Sequence, residues 1–134
     1  GDVYKRQMLG LVDDIEKRSP EVVTEYRKKL IDKIHEVLND ASLDENRIAT
    51  EVTIFADKIC VDEETVRLRS HIESTRDTLI EGGNVGRKLD FIAQEMNREA
   101  NTILSKANDL AISDNAISLK TEIEKVREQI QNIE

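Results

Sequence analysis

A chain of 134 residues holds one domain or two small helical units, and 38% apolar against 36% charged residues suits elongated helices with narrow seams better than a thick core. The formal net charge of -8 argues against indiscriminate binding to nucleic acid or an anionic membrane, but leaves room for a local basic site or a divalent cation that offsets carboxylates beside phosphate. No apolar run is long enough for a transmembrane helix, nothing at the start resembles a signal peptide, and the single cysteine, Cys60, excludes an intrachain disulfide, so a cytoplasmic setting without a membrane partner is expected.

In chain order, residues 1–7, GDVYKRQ, stand outside the pattern that follows and read as a non-native leader. Met8-Leu9 then runs directly into helical sequence, as in the middle of a longer protein. Residues 8–60 read as a helical hairpin region. A first helix covers roughly Met8 to Arg18 on Leu11, Val12 and Ile15, and Ser19-Pro20-Glu21 reads as a restart, with serine as cap and proline at the first helical position. The next helix runs to about Leu38 on Val23, Tyr26, Leu30, Ile34 and Val37, and Asn39-Asp40-Ala41 breaks it. Ser42 with Glu45 has the capping-box pattern and opens a helix on Ile48, Val52, Phe55 and Ile59.

Residues 61–134 read as a C-terminal helical domain. Asp62 is the expected cap of a helix bearing Leu68, Ile72, Thr75 and Leu79, which stops at Gly82-Gly83. A long helix from Gly86 to Asn108 follows on Leu89, Ile92, Met96, Ala100, Ile103 and Ala107. A polar break is expected near Ser113-Asp114. The last helix repeats Leu119, Ile123, Val126, Ile130 and Ile133 at 4-3-4-3 spacing, a coiled-coil-like seam. The expected fold is all-α: extended antiparallel helices with coiled-coil-like seams, oligomeric because a single apolar stripe must be covered by something.

The long helix carries more polarity than folding needs. Arg87, Asp90, Gln94, Asn97, Asn101, Ser105 and Asn108 recur at helical spacing, and each asparagine costs roughly half a kcal/mol against alanine. They read as binding groups, or as a polar seam satisfied by a neighbouring helix. Glu95 and Glu99 share one face and repel by a few tenths of a kcal/mol. A divalent cation turns that cost into a gain, and a charge lattice with Arg98 is the milder explanation. Arg87-Lys88 opens the helix after VG, where free amides can receive phosphate or where a turn merely carries surface cations. His71, four residues after Arg67, is placed to bind a metal or move a proton near neutral pH, or is an ordinary boundary histidine. Arg67, Arg69 and Arg76 can reach phosphate if their helix packs nearby, or can pair with Glu63, Glu73 and Asp77. Lys106 extends the cationic reach. His35 is expected in solvent, and Cys60, flanked by Ile59 and Val61, inside.

The runs EVTIFADK, EETVRLRSHIE, VGRKLDFIAQEMNREANTILSKAND and KTEIEKVREQIQNIE closely resemble the C-terminal domain of the YicC/YloC family, over essentially Leu9 to Glu134. The resemblance implies an endoribonuclease of the bacterial cytoplasm, divalent-metal-assisted through Mn2+ or Mg2+, forming ring- or shell-like hexamers that enclose RNA. Carried over by motif, it implies His71, Glu95 and Glu99 as catalytic and metal-binding. Arg87, Lys88, Gln94, Asn97, Arg98, Asn101 and Lys106 are the implied RNA contacts, with Glu73, Asp90 and Ser105 as further candidates from the same motifs; Arg67 joins the RNA contacts on the residue reading alone, if its helix packs nearby. Ile103-Leu104 stands where many relatives have Ile-Gly, and a further N-terminal domain of about equal size is expected in full-length relatives. Two chemistries stay open: metal-activated attack on the phosphodiester, or His71 as general base on the ribose 2'-hydroxyl. The rival class is a non-catalytic helical oligomerisation and RNA-binding scaffold.

Overall fold

A computed structural model describes residues 2–38, 43–83 and 85–133, apart from the side chain of Ile133. Five helices account for nearly all of them: α1 (Asp2–Leu38), α2 (Glu45–Ile59), α3 (Asp62–Glu81), α4 (Gly86–Lys106) and α5 (Leu110–Ile133). α1 packs on α3 and α5, and α4 packs on α3 and α5, so these four close into a ring around one core. Ion pairs fix the direction of neighbours. Lys5 with Glu73 and Arg69 with Glu16 set α1 antiparallel to α3, and Arg18 with Asp109, together with the hydrogen bond from Gln129 to Tyr4, sets it antiparallel to α5. The 37 residues of α1, roughly 55 Å at 1.5 Å per residue, lie beside α2 and α3 taken end to end.

The core is the apolar set that helical spacing selects. Met8, Val12 and Ile15 of α1 meet Leu68 and Ile72 of α3, Leu89, Ile92, Met96 and Ile103 of α4, and Ile112, Ala116, Leu119, Ile123, Val126 and Ile130 of α5. Each such side chain contributes about 1.5–3 kcal/mol on burial. Leu119, Ile123, Val126 and Ile130 of the α5 seam are thus covered by helices of its own chain. Beyond Val22, α1 leaves the four-helix ring and holds α2, where the Tyr26 and Phe55 rings stack with centroids 3.8 Å apart.

Several boundaries differ from the sequence expectation. α1 does not restart at Ser19-Pro20: Pro20 lies inside it, exposed, and Ser19 Oγ donates to the Ile15 carbonyl at 2.7 Å. The proline costs about 3 kcal/mol, which the buried residues on both sides of it, Met8, Val12 and Ile15 before and Val22 after, offset by packing on one core. Residues 2–7 are helical and extend α1, with Tyr4 packed against the core. The cap of α2 is Asp44, whose carboxylate accepts from the Arg47 amide at 3.2 Å, and Ser42 and the Asn39-Asp40-Ala41 break lie outside the described residues. Val61 occupies the cap of α3, and Asp62, Glu63 and Glu64 form its acidic first turn. α4 ends at Lys106, and the break falls at 107–109 rather than at Ser113-Asp114, because Asp109 caps α5 by accepting from the Ile112 amide at 3.1 Å. Cys60 is exposed, although its neighbours Ile59 and Val61 are buried.

Candidate functional site

The polar residues singled out in α3 and α4 meet where these helices pack antiparallel. Glu64 and Arg67 are three apart on α3, and Glu99 and Lys106 are seven apart on α4, so each pair shares a face. Arg67 Nε donates to Glu99 Oε1 at 2.8 Å, and Lys106 Nζ to Glu64 Oε1 at 2.8 Å. Lys106 Nζ also donates to the Cys60 carbonyl at 3.1 Å, which ties the end of α4 to the α2–α3 junction. Arg67 stands 3.6 Å from Glu63 and 3.9 Å from Glu64. The result is a chain of alternating charge, Lys106, Glu64, Arg67, Glu99, laid across the helix pair.

Glu99 is 6% exposed and Glu64 3%. Burial pushes the Glu64 carboxyl up, but the Lys106 ammonium, with help from Arg67, outweighs it and holds the group below its ordinary value. Arg67 is raised chiefly by its bond to Glu99, and Lys106 by its bond to Glu64. Glu64 Oε2 is buried with no hydrogen-bond partner among the described residues. The like-charge cost of Glu95 beside Glu99 is therefore relieved in this chain by an arginine from the facing helix.

Four residues on from Arg67 along α3 lies His71, and four back from Glu99 along α4 lies Glu95. Antiparallel packing brings them to the same level, and both are half-buried. The His71 backbone carbonyl accepts from Thr75 Oγ1 at 2.9 Å, and its imidazole makes no hydrogen bond among the described residues. No group of three or more His, Cys, Asp or Glu side chains able to hold a metal ion is assembled among the described residues. His71, Glu95 and Glu99 of one chain do not form a complete cation site, and Glu99 Oε1 is already engaged by Arg67.

The amide row faces outward. Gln94 and Asn101 are exposed and Asn97 half-buried, and with Arg98, Thr102 and Ser105 they line an open, shallow concavity. Gln94 donates to Asp90 of its own helix at 3.1 Å, and Asp90 accepts from Arg127 of α5 at 3.1 Å. Asp90 is thus the member of the polar row that a neighbouring helix satisfies, while Gln94, Asn97 and Asn101 take no partner from another helix among the described residues. Arg87, Lys88 and Arg98 are exposed and enter no ion pair among the described residues, in contrast to Arg67 and Lys106. Arg69 is drawn away to Asp13 and Glu16 of α1, and Arg76 to Asp2, so neither joins this face. His35 is exposed.

Glu64 is the residue that the sequence reading passes over. Its place in an acidic first turn invites a helix-dipole explanation, and the signal for more is its spacing, seven residues before His71 on the face that meets α4.

The family model described as "Endoribonuclease YicC-like, C-terminal" matches residues 15–134. The chain is 52% identical over 124 residues to "Probable endoribonuclease YicC" of Clostridioides difficile (strain 630), covering 92% of this chain and 42% of the relative. It is 41% identical over 122 residues to the protein of the same description from Haemophilus influenzae, covering 91% and 42%. The chain thus spans about two-fifths of the length of these curated relatives. It belongs to the YicC-like endoribonuclease family, matching the C-terminal part of that family.

Proposed function

We propose that this chain is the RNA-handling helical part of an endoribonuclease, with single-stranded or loop RNA drawn along the outer face of α4. The observation that carries the reading is the gathering of exposed cations and amides on one helix. In a chain of net charge -8, Arg87, Lys88 and Arg98 stand in solvent, with no acidic partner among the described residues, beside an outward row of amides. Cations of that kind neutralise phosphate, while amides hydrogen-bond base edges and sugars. Gln94, Asn97 and Asn101 are the proposed base and sugar contacts. Arg67 and Lys106 stand at the inner edge of the face, each held by a glutamate.

For the chemical step, His71, Glu95 and Glu99 are the proposed groups. His71 at the level of Glu95 suits a general base that takes the 2'-hydroxyl proton. A divalent cation, Mn2+ or Mg2+, would polarise the scissile phosphate. No group of three such ligands is assembled among the described residues of one chain, so His71, Glu95 and Glu99 would hold the cation together with donors of a second subunit or of the phosphate. Assembly into hexamers in the cytoplasm is part of the same proposal. No described helix is long and apolar enough to cross a membrane.

The test is cleavage of a labelled RNA by this chain with and without Mn2+, beside Glu99→Gln and beside an RNA carrying one 2'-deoxy linkage. Cutting that resists both chelation and Glu99→Gln would remove the metal assignment. Cutting that survives the 2'-deoxy linkage would remove the 2'-hydroxyl route. A scaffold reading, with catalysis residing in the remaining length of the relatives, is favoured by the Arg67–Glu99 bond, which occupies a proposed catalytic carboxylate. RNA binding without cleavage under every condition would support that alternative.

A further inference from the structure

We propose that Phe91 is a stacking platform for one unpaired base of single-stranded RNA, an inference that rests on the RNA-binding reading of α4. The chain has four aromatic rings. Tyr26 and Phe55 stack on each other with centroids 3.8 Å apart, and the Tyr4 hydroxyl accepts from Gln129 at 2.7 Å. Phe91 is 60% exposed in the middle of a helix whose opposite side is fully committed to the core. The ring stands outside the buried core.

Its surroundings say what it meets. Residues three, four and seven away along a helix are its neighbours. For Phe91 on the exposed side these are Arg87, Lys88, Gln94, Glu95 and Arg98, none of them apolar. The core of a protein–protein contact is a contiguous apolar patch depleted of charge, and Phe91 sits instead among three cations, an amide and one half-buried carboxylate, Glu95. Single-strand sites combine these parts: a π-face on which any base can stack, with cations placed for the phosphates on either side. Arg87 and Lys88 lie about one turn before the ring and Arg98 about two turns after it, a span of roughly 15 Å along the helix. That length matches a few nucleotides passing over the ring. The expected ligand is therefore an unstructured stretch of RNA, with a base splayed from its neighbours at Phe91.

The chain contains no tryptophan, so Phe91→Trp provides a single fluorescent reporter at the position. Emission of Phe91→Trp and anisotropy of a labelled oligoadenylate are followed in EDTA for the wild type, Phe91→Trp and Phe91→Leu. The expected result is quenching of Phe91→Trp by the RNA, affinity at least equal to wild type for that variant, and binding about tenfold weaker for Phe91→Leu. Wild-type binding with Phe91→Leu unchanged and Phe91→Trp emission unmoved would overturn the stacking role and leave the RNA-binding face intact. Failure of the wild type to bind at all would overturn both. Emission that responds to protein concentration and not to RNA would assign Phe91 to a contact between copies of the chain, and overturn the proposal.

Discussion

At the scale of single residues, the chain spends two buried glutamates on cations of a facing helix. Glu64 is the more consequential, since its second oxygen is buried without a partner and its charge depends on Lys106. Lys106→Met is expected to destabilise the fold by about 2 kcal/mol at neutral pH, the cost of a buried carboxylate left uncompensated. In acid the penalty should shrink, because Glu64 is then protonated in both proteins; urea midpoints at neutral and acid pH read this directly. The Glu64 and Asp109 carboxyls are both held below their ordinary values, Asp109 first by its bond to Arg18. A depressed folded-state pKa stabilises the fold above the unfolded value, near pH 4, and that stability is lost as pH falls through the folded value. Urea midpoints should therefore drop on acidification below about pH 4, and Asp109→Asn should flatten the drop. A wild-type midpoint independent of pH through that window would contradict the assignment.

At the scale of elements, the core stripes were legible and several of the ends were not. The buried residues of α4 and α5 follow apolar spacing closely, because a helix in a four-helix ring buries one stripe and periodicity reports that stripe. Pro20 misleads for the complementary reason. Local propensity places a boundary there, but the apolar residues before and after it pack on the same core, and tertiary burial outweighs one lost backbone bond. Pro20→Ala should therefore raise stability by about 1–2 kcal/mol, less than the full helix penalty of proline because the unfolded chain gains freedom. A lowered melting temperature would show that the proline is needed where it is. The turn from α3 to α4 is the opposite case. Gly82 has φ 69° with ψ -164°, a conformation nearly confined to glycine, so Gly82→Ala should cost about 1–3 kcal/mol by thermal unfolding.

At the scale of the whole molecule, the α4 and α5 stripes that the sequence suggests would need another chain are covered within this one, the described part of the α5 seam by α1 and α4. The stripe of the distal part of α1 is covered less: Val23, Tyr26, Leu30 and Ile34 are half-buried and Val37 is exposed. The candidate site was legible at the level of motif and helix face, and Glu95, Glu99 and Arg98 lie on α4 as their spacing requires. Which partner each would take was not legible, since only the register of α3 against α4 decides that Arg67 reaches Glu99 and Lys106 reaches Glu64. The central claim is the proposal that the outer face of α4 holds RNA through Arg87, Lys88 and Arg98. Its most direct test is the salt dependence of RNA affinity for the wild type beside the triple variant Arg87→Gln, Lys88→Gln, Arg98→Gln. Three lost phosphate contacts should weaken binding and lower the slope of log K against log salt by about 2. An unchanged slope and affinity would place the RNA elsewhere and contradict the account.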